Sequence, residues 1–397
     1  MTKPIDFTQN LDQLTAGPEL SIETLVESRL DDYPDPQIII DHIAKNEKSV
    51  HVYSDDIRID GVLKCDAMDT YLATQTHLSS GNFKKALISP MHFKYDRDEA
   101  WKEEVRKHKD ISHFDLGNFL HECILEPTKF SRVVVEPSES RASHEGLNKL
   151  IEFWTGQIHK EIETSENDGE AMLSNFKNVT NLHAAVFHDS PTTKVKKAYL
   201  VDLKALSQFA CIQEADKIVV DTVHANYLAY AGGILPRLVK HSKREVSMYA
   251  TDADTGLNVR IRPDAIQFAE NIGLDAILSI KSTRHDDVQA FARQCCNLNY
   301  DLSEGMYQKV ATQVTGRPFR TTLMIIVQTV APYGVALAIW NPYDIEVGLA
   351  KYEQASRLIT AALTENDYPG FEVQADNQIG MISFKLPNYA ARKVATV

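Results

Sequence analysis

The stretch LDAILSIKST, residues 274–283, decides the fold of the C-terminal half of this 397-residue chain. Its apolar run predicts a short buried strand ending in Lys281, and a lysine is costly to bury unless it has a function. Shortly before it, the run VRIRPDAI, residues 259–266, places Asp264 on a second predicted strand. Because neighbouring strands lie ~4.8 Å apart, Asp264 and Lys281 can converge. This pair indicates a metal-dependent hydrolase site.

Position 279 is where such a site would carry a second carboxylate, and it holds a serine. Ser279 shares a face with Lys281 because strand side chains alternate. Carboxylates are the hard oxygen ligands that Mg²⁺ prefers, and the ion would activate water for attack on phosphorus while Lys281 stabilises developing charge. The alternative is that Asp264 and Lys281 are solvated residues at strand ends, and spacing alone leaves both interpretations open.

The composition is that of an ordinary soluble globular protein, with 43% apolar and 24% charged residues. Its five cysteines show no CxxC pairing, which argues against structural zinc and a disulfide framework and favours a reducing cytoplasm. The start, MTKPIDFTQN, lacks the apolar core of a signal peptide. The apolar stretch at residues 321–340 contains the turn-forming APYG, so it predicts a β-hairpin rather than a membrane span.

Charge and periodicity divide the chain into three parts. Residues 1–70 hold 15 acidic and 6 basic side chains, most of the net charge of −13, and predict a separate acidic N-terminal module with two helix-like segments and a strand pair at 49–61. Residues 71–244 are predicted to be mainly helical. Residues 245–397 contain β-rich runs, one long helical segment between them, and a C-terminal helix and strand. This order predicts an α/β fold with a mixed central sheet flanked by helices.

Several motifs together resemble the PD-(D/E)XK nuclease superfamily, with its restriction-endonuclease-like core. More narrowly, they resemble the exonuclease VIII (RecE-type) branch of phages and prophages. The resemblance covers roughly residues 75–360 and is carried by GLNVRIRPDAI (256–266), ILSIKST (277–283), NLNYDLSEGMY (297–307), SSGNFKKALISPMHFKY (79–95), DLGNFLHECILEPTKF (115–130) and APYGVALAIWNPYDIEVGLAKYEQ (331–354).

The resemblance implies a role for each matching residue. His121 would lie beside the metal, Glu245 would be the first acidic residue of the site, Asp264 a metal ligand and Lys281 the catalytic lysine, with Mg²⁺ or Mn²⁺ as the ion. It further implies processive degradation of double-stranded DNA from its ends, a single-strand annealing protein as partner and a ring-like homo-oligomer. The gene would belong to a phage or prophage, and the protein to the cytoplasm of the bacterial host.

Two positions depart from the family pattern. Position 279 carries serine instead of an acid, and Ser303 stands where the family usually has a glutamine. A serine hydroxyl is a poor Mg²⁺ ligand beside a carboxylate. Asp275 shares a face with Ser279 but lies four residues back, ~13 Å along the strand. Glu304, on the helix next to Ser303, is the better candidate for a migrated acid, although adjacent residues point ~100° apart around a helix.

Basic residues around the predicted site form a candidate DNA track. The run RLVKHSKRE, residues 237–245, ends in Glu245, and Thr283 continues the turn after Lys281. A solvated helix end is the alternative explanation for the run, and an ion pair with an acid is the alternative for Arg262. The candidate DNA-binding residues are Arg237, Lys240, Lys243, Arg244, Arg262 and Thr283.

Two functions from different classes fit these observations. The first is a Mg²⁺-dependent double-strand DNA exonuclease of phage-type recombination. The second is a pseudo-nuclease that keeps the fold as a DNA-binding or protein-interaction module directed at recombination or defence machinery. A general metal hydrolase or an interaction scaffold without DNA is a third. Only Ser279 and Ser303 separate the first two.

Overall fold

A computed structural model of the chain describes residues 29–30, 33–45, 62–64, 67–98, 115–130, 133–165, 168–207, 210–375, 377 and 379–383. Their strands are β1 Val62–Lys64, β2 Val133–Val135, β3 Ala210–Ile212, β4 Lys243–Arg244, β5 Ser247–Thr251, β6 Asn258–Ile261, β7 Ala265–Gln267, β8 Ala276–Thr283, β9 Thr321–Gln328 and β10 Val335–Ile339.

The α-helices within the same ranges are α1 Gln37–Lys45, α2 Met68–Ala73, α3 Ser80–Ile88, α4 Pro90–Asp96, α5 Asp115–Leu125, α6 Pro127–Phe130, α7 His144–Thr164, α8 Gly169–Leu182, α9 Thr193–Leu206, α10 Glu214–Ala229, α11 Ile234–Val239, α12 Ala269–Ile272, α13 Val288–Asn297, α14 Tyr300–Thr315 and α15 Pro342–Glu365. Short 3₁₀ helices lie at Ala184–Phe187, Tyr230–Gly232 and Phe371–Gln374. None of these helices combines the length and apolar character needed to cross a membrane.

A five-stranded mixed sheet, in the order β10-β9-β8-β7-β4, forms the centre of the molecule. β8 and β9 are parallel and the other neighbours are antiparallel. The parallel pair requires a crossover, which α13 and α14 supply. The mixed α/β architecture predicted from the order of the runs is thereby confirmed, as is the β9–β10 hairpin.

Three elements differ from the sequence-based prediction. The long helical segment between β8 and β9 is two helices, because Asn299 adopts a left-handed conformation (φ 48°) that asparagine tolerates better than most residues. The predicted C-terminal strand at Phe371–Gln374 is a 3₁₀ helix. There the Glu372 carboxylate accepts a hydrogen bond from the Gly370 amide, which favours a local turn. The third difference concerns the strands that carry the acids.

Two of the predicted β-rich runs, REVSMYA (residues 244–250) and LNVRIRPDAIQFA (residues 257–269), are each divided between two sheets. β5 pairs with β6 in a three-stranded sheet completed by β1, whereas β4 pairs with β7 in the central sheet. The register is unchanged across the division. Met248 faces Ile261, and Arg244, four residues earlier, faces Ala265, four residues later. The ladder is interrupted at Pro263, which has no amide hydrogen. Glu245 and Asp264 lie at this interruption.

The two faces of the central sheet bury separate cores. Leu278 and Ile280 point into one, where α5, α10 and α11 pack, whereas Ile277 points into the other, against α3, α14 and α15. By the alternation of strand side chains, Ser279 and Lys281 share the Ile277 face. β8 therefore directs these two side chains towards the face on which α14 packs.

Two further parts pack around this sheet. Between β2 and β3, the helices α7, α8 and α9 enclose their own apolar core, which includes Leu150, Trp154 and Leu203. The described pieces of residues 1–70 contact the main body: Ile39 of α1 joins the core on the α5 side, and β1 pairs with β5. The predicted strand pair at 49–61 and most of the first predicted helix lie outside the described residues.

Candidate active site

Three side chains from separate parts of the chain converge on one point. His121 comes from α5, Glu245 from the β4–β5 junction and Asp264 from the residue before β7. One ligand atom of each lies within 4.8 Å of the others, and all three residues are partly buried. An imidazole and two carboxylates at this separation can share one divalent ion. The structure thus brings together three of the predicted site residues.

The orientation of His121 leaves one ring nitrogen free to bind a metal. Its Nε2 lies 2.9 Å from the carbonyl oxygen of Ile280. A carbonyl can only accept, so Nε2 carries the proton and Nδ1 of the neutral ring keeps its lone pair. Nδ1 points to Asp264, 3.8 Å from Oδ1. A hydrogen bond from one ring nitrogen to a backbone carbonyl is the usual way in which a metal-binding histidine is oriented.

A close approach of α5 to β8 positions His121. Gly117 lies one turn before His121 on the same helix face. A Cβ at Gly117 would lie 3.3 Å from the Ser282 hydroxyl oxygen, which is a tight contact. The absence of a side chain therefore lets the helix sit against the strand that carries Lys281. The sequence motif contained this glycine, but only the packing shows its role.

Asp264 is held by groups from β8. Its Oδ2 accepts hydrogen bonds from the Ile280 amide at 2.5 Å and from Lys281 Nζ at 3.3 Å. Burial by itself would raise the pKa of Asp264, but the charge of Lys281 and the hydrogen bonds from the Ile280 amide and from Lys281 outweigh it and lower that pKa. Asp264 is therefore ionised at neutral pH, as a metal ligand must be.

Glu245 occupies a strained position beside Asp264. Its φ of 52° is in the left-handed region, and its amide donates to the Asp264 carbonyl at 3.0 Å. Its carboxylate accepts from Arg262 Nε at 2.9 Å, while the same guanidinium donates to the Ser247 hydroxyl. Burial raises the pKa of Glu245 above its ordinary value, although Arg262 opposes the shift. Arg262, a predicted DNA-binding residue, thus contacts an acid of the site.

Lys281 lies in the field of two acids. Burial would lower its pKa, but the charges of Asp264 and Glu304 raise it above the ordinary value for lysine. The ammonium group is therefore charged throughout the physiological pH range. A group so firmly protonated can neutralise a phosphate, and it cannot serve as a proton acceptor.

Ser279 and Glu304 are hydrogen-bonded to each other near Lys281. The Ser279 hydroxyl donates to Glu304 Oε1 at 2.8 Å, and both residues are only 1% exposed. Burial raises the pKa of Glu304 above its ordinary value. Ser303, the other departure from the family pattern, is also buried, one residue before Glu304. The structure therefore places a carboxylate beside position 279, although it comes from α14.

Lys84 is a residue of this region that the sequence did not indicate. It lies on α3, with Nζ 4.9 Å from the centre of the Tyr300 ring. Burial lowers its pKa to about 8, an effect increased by the charge of Lys281 and opposed by that of Glu304. The only sequence signal is a lysine between the apolar residues Phe83 and Ala86 on an amphipathic helix.

The other predicted DNA-binding residues differ in burial and in hydrogen-bond partners. Arg237 donates to the Ile43 carbonyl at the end of α1, and Arg244 donates to the Leu125 carbonyl at the end of α5. Lys240 is exposed and Lys243 is partly buried on β4. Thr283 is buried, and its hydroxyl accepts from the His285 amide. Arg237 and Arg244 thus hold helix ends, and contact with DNA remains a prediction for the whole group.

Of the comparisons with known proteins, one shows the family of this chain. No curated protein matches the sequence. A solved structure from Eubacterium rectale, named "Putative exonuclease", is 10% identical, covers 84% of this chain and 99% of its own, and aligns with a TM-score of 0.43. Residues 79–375 match the family described as PDDEXK-like domain of unknown function (DUF3799). The matched segment contains every residue of the site, and the chain belongs to this PD-(D/E)XK nuclease-like family.

Proposed function

We propose that the protein is a Mg²⁺- or Mn²⁺-dependent exodeoxyribonuclease that acts on the ends of double-stranded DNA in phage-type recombination. The observation that carries the proposal is the His121–Glu245–Asp264 cluster, with Lys281 3.3 Å from Asp264. Family membership supports nuclease chemistry, and the motif resemblance to the exonuclease VIII branch suggests duplex ends as the substrate. We also propose that the protein forms a homo-oligomer and acts together with a single-strand annealing protein.

The donor set suits the proposed ion. Two carboxylates supply the hard oxygen ligands that Mg²⁺ and Mn²⁺ prefer, and one imidazole is compatible with Mn²⁺. His121 Nδ1, Asp264 and Glu245 would hold the ion, which would activate water and polarise the scissile phosphate.

Lys281, Ile280 and Arg262 have separate roles in the proposed reaction. Lys281, charged and next to the metal-facing carboxylate, neutralises the phosphate as negative charge develops on it. Ile280 orients both partners of the site, because its amide holds Asp264 and its carbonyl holds His121. Arg262 keeps Glu245 in place through its 2.9 Å hydrogen bond.

The first experiment incubates the full-length protein with linear duplex DNA and Mg²⁺ or Mn²⁺. Progressive shortening from the ends is expected, with a covalently closed circle left intact. Lys281→Met should reduce the rate by at least ~100-fold, as loss of a charge-stabilising donor does. Lys85→Met, which alters an exposed lysine of α3, is the matched control and should cleave normally.

The second candidate is a pseudo-nuclease that binds duplex DNA without cutting it. Ser279 favours it, because the strand position next to Lys281 carries no carboxylate. Retarded migration of linear duplex in a gel, with no shortening under either metal, would establish this function and exclude the exonuclease.

A further inference from the structure

We propose that Glu304 supplies the carboxylate that β8 lacks at position 279, and that it binds a second divalent ion together with Asp264. This inference rests on the proposed function, because it concerns the same active site. It assigns the missing acid to α14, a different element from the strand that carries Lys281.

The position of the Glu304 carboxylate supports this assignment. Ser279 and Lys281 share one face of β8, and the Ser279 hydroxyl donates to Glu304 Oε1 at 2.8 Å. The carboxylate therefore lies where a longer acidic side chain from position 279 would end. Ser279 in turn acts as a positioning residue, since its hydrogen bond fixes one carboxylate oxygen.

The second oxygen of Glu304 is the observation that points to a ligand. Oε2 is buried and has no hydrogen-bond partner among the residues that the structure describes. Nor does Glu304 form an ion pair within 4.0 Å in those ranges, as its neighbours Asp264 and Asp301 do. A buried carboxylate oxygen without a partner is costly, so such groups are normally paired or coordinate metals. A cation between Glu304 and Asp264 would satisfy it.

Glu304 and Asp264 lie in one electrostatic environment. Glu304 and Asp264 are close enough to repel each other, and Lys281 attracts both. Lys84 also attracts Glu304. His121 faces Asp264 Oδ1, whereas Lys281 and the Ile280 amide face Oδ2. Since Glu304 is absent from the compact cluster of His121, Glu245 and Asp264, its ion would be separate from theirs. Two such ions are a common arrangement for phosphodiester hydrolysis.

The seating of α14 keeps Glu304 directed at the sheet. Gly305 and Asp301 face α15, where a Cβ on Gly305 would lie 2.9 Å from the Leu349 amide nitrogen. Glu304 and Gln308, one turn apart, lie on an adjacent face of α14, because successive residues turn ~100° around a helix. They contact Ser279 of β8 and Thr322 of β9. The carboxylate is thus presented by a helix that packs closely against α15 and is hydrogen-bonded to β8 and β9.

Mn²⁺ titration of the full chain by calorimetry tests the inference without relying on cleavage. The wild type should bind two ions and Glu304→Gln one. The relocated pair Ser279→Asp with Glu304→Ser should recover the second. Glu346→Gln, which alters an equally buried carboxylate on α15, is the control for loss of a buried acid and should bind two. Circular dichroism verifies that each variant is folded.

Two results would overturn the inference. One is unchanged Mn²⁺ binding by Glu304→Gln. The other is a large gain in binding or cleavage from Ser279→Asp alone, because that gain would mean that no carboxylate already serves this position. The two proposals fail separately. Loss of one ion in Glu304→Gln without any DNA cleavage by the wild type would overturn the exonuclease alone. Cleavage by the wild type with intact Mn²⁺ binding in Glu304→Gln would overturn only the role of Glu304.

Discussion

Single residues at this site are defined by what faces each of their atoms. The two oxygens of Asp264 have different surroundings, with His121 Nδ1 on one side and Lys281 and the Ile280 amide on the other. The two nitrogens of His121 are likewise distinct, since the Ile280 carbonyl accepts a hydrogen bond from only one of them, Nε2. Under the proposed function, this asymmetry would allow a small cluster of side chains to hold an ion and a phosphate at the same time.

Lys84 provides a prediction about pH. Burial lowers its pKa from 10.5 to about 8 in the folded protein. Above that pH the folded state releases the proton while the unfolded chain keeps it, so the free energy of unfolding rises with pH up to about 10.4. Urea unfolding should therefore show the wild type gaining stability relative to Lys84→Met between about pH 8 and pH 10. The exposed neighbour variant Lys85→Met should show no such trend, and a constant difference for Lys84→Met would contradict the prediction.

At the scale of elements, the close packing of α14 against α15 holds Glu304 in place. Gly348 of α15 packs on α14 so closely that a Cβ would lie 2.2 Å from the Asp301 carbonyl oxygen. Gly305 makes the reciprocal approach from α14. These contacts press α14 onto β8 and β9, which brings Glu304 to Ser279.

Two glycine substitutions distinguish the effect of this close packing on stability from the effect of helix propensity. Gly348→Ala should destabilise the protein by roughly 1–3 kcal/mol or more, because the added carbon meets backbone atoms that cannot yield easily. Gly156→Ala, in the interior of α7 with nothing within 4 Å of the new carbon, should instead stabilise it by about 1 kcal/mol. Denaturant unfolding measures both values, and a neutral Gly348→Ala would show that α14 can move away from α15.

At the scale of the whole molecule, the central sheet and the α7–α9 insertion have separate cores. The insertion is tied together by Glu136, which is 3% exposed and accepts hydrogen bonds from Trp154, Lys204 and Arg141 at 2.7–2.8 Å. Burial would raise the pKa of Glu136, but these three donors lower it. Its stabilising effect is therefore present above about pH 4.5 and is lost as the pH falls through the lower pKa of the folded state.

Glu136→Gln should accordingly weaken the insertion and spare the active site. Replacing the charged acceptor should cost about 1.5–3 kcal/mol, the usual value of hydrogen bonds to a charged group. Native-state hydrogen exchange is expected to accelerate in α7 and α9, with β8 and β9 unchanged, because each core opens as its own unit. The exposed Glu145→Gln is the control, and equal acceleration in β8 would show that the two cores unfold together.

Features that depend on residues close in sequence could be predicted, whereas features that depend on contacts between distant elements could not. Local patterns were sufficient for the mixed α/β fold, the β9–β10 hairpin and the pairing of Asp264 with Lys281, because two strands joined by a short connection become neighbours. The interruption at Pro263 was harder to predict. The runs on either side alternate correctly for a single strand, and only their partners in two different sheets reveal the division.

The sequence by itself determined which residue types are present for the chemistry: an aspartate and a lysine on adjacent strands, a histidine on a helix, and a serine where an acid was expected. Only the tertiary structure decided which of them meet. His121 reaches the carbonyl of Ile280, 159 residues away, and Glu304 reaches Ser279 from a helix seated by two glycines. Contacts of this kind depend on how whole elements pack, which neither periodicity nor spacing along the chain encodes.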